Sequence, residues 1–104
     1  MPSSPNPGNY VLKLSAEAED DIRDILQYTY ETWGEHQVQV YQAVLNKALS
    51  TLLSNPSIGH KRSDLSPDSR VLRAGQHFIV YRVSGTIIYV VRILHERMDF
   101  GRHT

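Results

Sequence analysis

Residues 87–94, Ile87-Ile88-Tyr89-Val90-Val91-Arg92-Ile93-Leu94, form an almost unbroken apolar run whose first half is nearly all β-branched or aromatic. Such a run predicts a strand buried on both faces, placed in the middle of a covered sheet. It passes directly into His95-Glu96-Arg97-Met98-Asp99, so the core strand ends in the densest cluster of polar groups. Upstream, Arg70 to Ala74 and His77 to Val83 read as two further strands, with Gly75 and Ser84-Gly85 as the turns, the latter of a tight hairpin. If Ser84 and Gly85 are the loop residues, Phe78, Val80 and Arg82 share a face with Ile87, Tyr89, Val91, Ile93 and His95. The opposite face then carries His77, Ile79, Tyr81 and Val83 beside Ile88, Val90, Arg92 and Leu94.

The first half of the chain has a helical period instead. After a short alternating stretch, Tyr10 to Leu14, that predicts an opening strand, Ser15 stands at an N-cap position ahead of Glu17, Glu19, Asp20 and Asp21. Ala18, Ile22, Ile25, Leu26 and Trp33 fall on one stripe, weakened where Thr29 fills a step, and Gly34 supplies a left-handed stop. A second helix from about Glu35 to Ser54 carries Val38, Tyr41, Leu45, Ala48, Leu49 and Leu52 on its stripe, and Pro56 closes it. Helices joined this closely pack as an antiparallel hairpin and need a sheet beneath them to bury both stripes. Residues 55–68 are rich in turn formers and read as a loop. The element order is β-α-α-β-β-β, in one domain from 10 to 104 preceded by a Pro-rich, disordered lead-in over residues 1–9.

Composition narrows the function classes. No apolar run approaches a membrane span, the opening residues lack the pattern of a secretory signal, and the absence of cysteine fits a reducing cytoplasm. The net charge of zero conceals a polarity: residues 1–60 carry about −4 and residues 61–104 about +4. The five histidines, at 36, 60, 77, 95 and 103, include no helical i, i+4 pair, so no metal centre or cofactor is expected. No glycine-rich phosphate loop and no nucleophile elbow is present.

What remains is a set of cations, Arg62, Arg70, Arg73, Arg82, Arg92, Arg97 and His95, with Tyr81 and Tyr89 among them. It fits RNA binding, with His or Tyr as acid or base in a 2′-hydroxyl cleavage. It also fits the solvated, ion-paired face of a sheet, which residue chemistry alone favours. Arg92, inside an apolar strand, requires a partner, and Glu96 and Asp99 are the nearest acids after the strand. Trp33 at a helix end is either an exposed contact residue or, the favoured reading, a cap on the core.

Beyond these patterns, residues 10–103 resemble the ParE branch of the RelE/ParE superfamily of bacterial toxins. The resemblance rests on Leu14-Ser15-Ala16-Glu17-Ala18-Glu19-Asp20-Asp21, Ile25, Tyr28, Trp33-Gly34, Tyr41, Leu45, Leu52, Asn55-Pro56 and Gly59. It continues through Arg70-Val71-Leu72-Arg73, Gly75, His77, Tyr81-Arg82 and Arg92-Ile93-Leu94-His95-Glu96-Arg97-Met98-Asp99. It implies an α+β fold with a helical hairpin on one face of a small antiparallel sheet. It also implies a type II toxin that poisons DNA gyrase, stabilises its cleaved DNA complex and is neutralised by a ParD-like antitoxin. Catalytic residues are then absent, and no sequence-specific nucleic-acid contact is expected. A toxin dimer and a toxin–antitoxin hetero-oligomer both stay open. The residues expected to meet partners are Trp33, Arg70, Arg73, Tyr81, Arg92, His95, Arg97, Met98 and Asp99. The alternative is a RelE-like, ribosome-dependent mRNA endoribonuclease using Arg73, Arg92 and His95, which the zero net charge disfavours.

Overall fold

In the computed structural model, which describes residues 9–97, the order is β1 (Val11–Leu14), α1 (Ala16–Trp33), α2 (Glu35–Ser54), β2 (His60–Lys61), β3 (Arg70–Ala74), β4 (His77–Ser84) and β5 (Ile87–His95). Ser15 starts α1 as its residue type predicts. Its hydroxyl oxygen accepts from Ala18 N–H at 2.9 Å, and its O–H donates to the Val91 carbonyl at 2.8 Å. The cap therefore also pins the helix to β5. Gly34 alone separates the helices, with φ 94° and ψ 178°, and its N–H donates to Tyr30 O. That conformation lies beyond the left-handed helical well expected there and is accessible essentially only to glycine.

The strands form one sheet in the order β1-β5-β4-β3-β2. The β3-β4-β5 meander and β2 pair antiparallel, but β1 runs parallel to β5, from Val11 opposite Ile87 to Leu14 opposite Val90. The sheet is thus mixed rather than purely antiparallel. The helical hairpin lies between β1 and the meander, so no tight turn dictates the direction of β1. β2 falls inside the segment whose composition reads as loop. Two paired residues are too few to leave an alternating pattern.

The β4–β5 hairpin corrects the face assignment in part. Ser84 pairs with Ile87, which makes Gly85 and Thr86 the loop; this shift preserves the faces near the turn, with Arg82 opposite Tyr89 and Tyr81 opposite Val90. A bulge then intervenes, so that Val80 faces Arg92, Ile79 faces Ile93 and His77 faces His95. Ile93 and His95 consequently join Ile79 and His77, whereas Arg92 and Leu94 join Val80 and Phe78. The extra residue, Val91, is as apolar as its neighbours, so strict alternation runs through it unnoticed.

Ala18, Leu45, Ala48 and Leu52 of the helices pack on Ile79, Tyr81, Ile88, Val90 and Ile93. Thr29 is buried in the same stripe because its hydroxyl donates to the Ile25 carbonyl at 2.7 Å, leaving it no unmet donor. On the other face Val71, Val80 and Leu94 form a smaller cluster with Phe78, Val91 and Leu65, the last from the loop before β3. The hairpin covers one face of the sheet, and the loop around Leu65 covers only part of the other.

Candidate partner-binding surfaces

β1 accompanies β5 only as far as Val90, so the backbone beyond needs other partners. Asp21, on the second turn of α1, fills the vacancy: its carboxylate accepts from Ile93 N–H at 2.8 Å and from Arg92 Nε and Nη2 at 2.8 and 3.0 Å. The Asp21 side chain is 14% exposed and that of Arg92 45%. Arg92 therefore has a structural partner on α1, not Glu96. Met98 and Asp99, two residues expected to contact partners, lie outside the described residues. Glu96 instead pairs with Arg73 at 2.8 Å, and this hydrogen bond holds its carboxyl below the usual range. The Arg73 guanidinium also donates to Gly75 O and lies 4.9 Å from the centroid of the Phe78 ring.

Tyr81 is not at a surface. It is fully buried, with its hydroxyl donating to Pro56 O at 2.7 Å and accepting from Gly59 N–H at 2.9 Å. Arg70, opposite it in the register, donates to Ser57 O and Gly59 O. The two side chains hold the turn after α2 against the sheet. A partner-binding assignment fails for Tyr81 because its one polar atom is consumed inside the fold.

Two surfaces stand open. On the sheet face away from the helices, Arg82 lies 5.9 Å from the centroid of Tyr89 and forms no ion pair among the described residues. With Arg92 it borders a groove of about 610 Å³ floored by Val80, Val91 and Leu94 and walled by the Leu65–Ser69 loop. The second surface is a pocket of about 350 Å³ where the end of α1 meets α2 and the ends of β4 and β5. Asp24, Tyr28 and Trp33 line it from α1, Tyr41 from α2, and Gln76, His77 and His95 from the sheet side.

At the base of that pocket the Tyr41 hydroxyl accepts from Gln76 N–H at 2.9 Å and contacts the Ala74 carbonyl and His77 Nδ1. The His77 ring packs edge-on against both Tyr41 and His95. Burial, then the neighbouring His95, pushes the His77 pKa down to about 4, and burial raises that of Tyr41. His95 Nδ1 accepts from Arg97 N–H at 3.0 Å. Trp33 is 71% exposed, Tyr28 65% and Tyr30 57%. Trp33 thus does not cap the core: the α1 stripe turns outward in its last turn.

The structure brings Trp33 and His95 to one pocket, leaves Arg97 exposed nearby, and commits Arg70, Arg73 and Arg92 to intramolecular bonds. Sequence reasoning missed Asp24, Tyr28 and His77 as members of the pocket. Tyr28 and His77 stood among the residues that carry the resemblance, but nothing in the strand and helix patterns places them with Asp24 in one pocket.

A family profile described as ParE toxin of type II toxin-antitoxin system, parDE, matches residues 12–100. The chain is 40% identical over 91 residues to Toxin ParE1 of Mycobacterium tuberculosis (strain CDC 1551 / Oshkosh), spanning 86% of this chain and 93% of that protein. It is 39% identical over 87 residues to Toxin ParE of Escherichia coli, spanning 83% and 84%. A solved chain described as Chromosomal ParDE TA system from P. aeruginosa superposes with a TM-score of 0.73 at 20% identity, covering 85% of this chain and 97% of that one. At that identity the likeness is one of fold.

Proposed function

This chain belongs to the ParE toxin family of type II toxin–antitoxin systems, and on that footing we propose that it acts without chemistry of its own. It binds DNA gyrase, holds the enzyme in its cleaved-DNA state, and is neutralised by a ParD-like antitoxin. The observation that carries the non-catalytic reading is that the arginines a nuclease would use, Arg73, Arg82 and Arg92, share the face away from the helices, while His95 lies on the other face. Arg92 is engaged by Asp21 and Arg73 by Glu96. His95 faces the helices, packed on His77, while Arg82 is on the opposite face. Cleavage of a 2′-hydroxyl substrate needs an acid or base within hydrogen-bond reach of the same phosphate that the cations hold. A chain with zero net charge also lacks the positive excess that RNA affinity draws on.

For the antitoxin, the geometry supports a segment that follows the helical hairpin and reaches the sheet. The outer backbone of β3 beyond Val71 has no partner strand among the described residues, which suits strand addition. No helix is long and apolar enough to cross a membrane among the described residues, and the proposed target places the toxin in the cytoplasm. The test is purified toxin, freed of antitoxin, in a gyrase supercoiling assay. Supercoiling should fall and linear, protein-linked plasmid should accumulate. Codon-dependent mRNA cuts on ribosomes with gyrase unaffected would transfer the case to the endoribonuclease.

A further inference from the structure

The pocket at the end of α1 has an unusual balance of groups. Its walls are the rings of Tyr28, Trp33 and Tyr41, the first two largely exposed to solvent. Most of its polar atoms are already occupied: the Tyr41 hydroxyl by Gln76 N–H, the Thr29 hydroxyl by the Ile25 carbonyl, and His95 Nδ1 by Arg97 N–H. Acceptors are left over. The Asp24 carboxylate and the Gln76 side-chain amide line the pocket and make no hydrogen bond or ion pair among the described residues. On the floor, burial keeps His77 neutral at physiological pH. The nearby Arg73 is held by Glu96.

Aromatic faces carry negative π-density, and a carboxylate beside them adds a full negative charge. The surrounding half of the chain, residues 1–60, carries about −4 and adds to the same field. A volume of about 350 Å³ is at the lower end for a small-ligand site and suits one long side chain. We infer that this pocket receives the guanidinium of an arginine presented by the antitoxin. A guanidinium is planar, stacks on aromatic rings, and offers donors in a fork that satisfies a carboxylate and an amide oxygen together, which a lysine ammonium does less well. Naming the antitoxin as the source rests on the function proposed above; the preference for a guanidinium rests on the pocket alone.

Trp33 is the chain's only tryptophan, so its fluorescence reports on the pocket directly. The experiment titrates the purified toxin with N-acetyl-L-arginine amide and, at equal ionic strength, with the neutral isostere N-acetyl-L-citrulline amide. The arginine compound should give a saturable change with a midpoint in the millimolar range, and the citrulline compound should bind several-fold more weakly. Asp24→Asn, a surface change that leaves the fold intact, should raise the arginine midpoint roughly three- to fivefold, the size an exposed ion pair supports. Tyr28→Leu should raise it roughly two- to fivefold through loss of one cation–π wall. Equal responses to both compounds, or a linear quench without saturation, overturns the inference.

A second arm uses the antitoxin encoded beside the toxin. Its binding should abolish the arginine response, and Asp24→Asn should weaken the complex by a factor similar to that seen with the small probe. If the antitoxin binds Asp24→Asn with full affinity and leaves the arginine response intact, the assignment to the antitoxin is overturned while the toxin–antitoxin reading stands. Failure of the antitoxin to bind even the unmodified toxin is a separate result. It defeats the functional reading and removes the arginine's source with it.

Discussion

Asp21 shows how one side chain ties a helix to a strand. Its carboxylate accepts from a backbone N–H of β5 and from two nitrogens of Arg92, in a site where the carboxylate is nearly buried and the guanidinium half exposed. Asp21→Ala should therefore cost about 1–3 kcal/mol in urea unfolding, since it leaves the partly buried Ile93 N–H without its acceptor and breaks the pair with Arg92. Arg92→Ala leaves the Ile93 N–H bond in place and should cost less, about 1 kcal/mol or under. The reverse order would mean that the guanidinium, not the backbone bond, holds this edge. The pair was illegible in the chain because the partners are 71 positions apart, and nothing in a strand pattern names a distant acid. Tyr81 misled for the opposite reason: its hydroxyl suggests a surface, while two backbone groups of the turn after α2 consume it inside. His77 makes a pH prediction. With its folded pKa near 4 and an ordinary value near 6.5, the unfolded chain binds the extra proton between those limits. The stabilisation from keeping it neutral is complete above about pH 6.5 and is lost as pH falls toward about 4. Urea midpoints should drop across that window, and the drop should be shallower in His77→Gln.

At the scale of elements, most of the architecture could be read from period alone. Ser15 and the acids after it mark the start of α1, Gly34 its end, and the Ile87–Leu94 run the core strand. The parts that escaped are those in which the chain breaks its own period. Val91 inserts a bulge without changing the apolar pattern, and the face of every residue after it reverses. The last turn of α1 places Trp33 in solvent although the stripe predicts burial, because α2 leaves at once through a single residue. That residue offers a clean test of backbone strain. An added Cβ at Gly34 meets nothing within 4 Å, so steric crowding contributes no penalty there. Gly34→Ala should still lose about 1–3 kcal/mol in chemical denaturation, because φ 94° with ψ 178° is a region that L-residues avoid. An unchanged midpoint would show that the hairpin can take a different link.

For the whole molecule, the polarity between an acidic helical half and a basic sheet half raises the question of which charges maintain the fold and which face outward. The structure divides the arginines. Arg70, Arg73 and Arg92 are bonded within the chain, whereas Arg82, which lines the open groove together with Arg92, stands by the Tyr89 ring and forms no ion pair among the described residues. The resemblance named Arg73 and Arg92 among the contact residues, since strand position alone cannot separate an arginine that faces an acid from one that faces solvent. Arg82→Glu distinguishes the two roles. Its removal breaks no ion pair among the described residues, so the unfolding midpoint should move by no more than about 0.5 kcal/mol in equivalent stability. Reversing a charge at the rim of the groove should nonetheless lower the association rate with a partner that meets this face, most strongly at low salt. The measurement is toxicity in cells lacking the antitoxin, set beside antitoxin association rates at two ionic strengths. Loss of toxicity with unchanged antitoxin binding would mark the groove as the surface turned toward the target. Loss of antitoxin binding with toxicity retained would mark it as the surface the antitoxin covers. If neither changes while stability holds, the groove is not used, and partner contacts concentrate at the Trp33 pocket on the other side of the sheet.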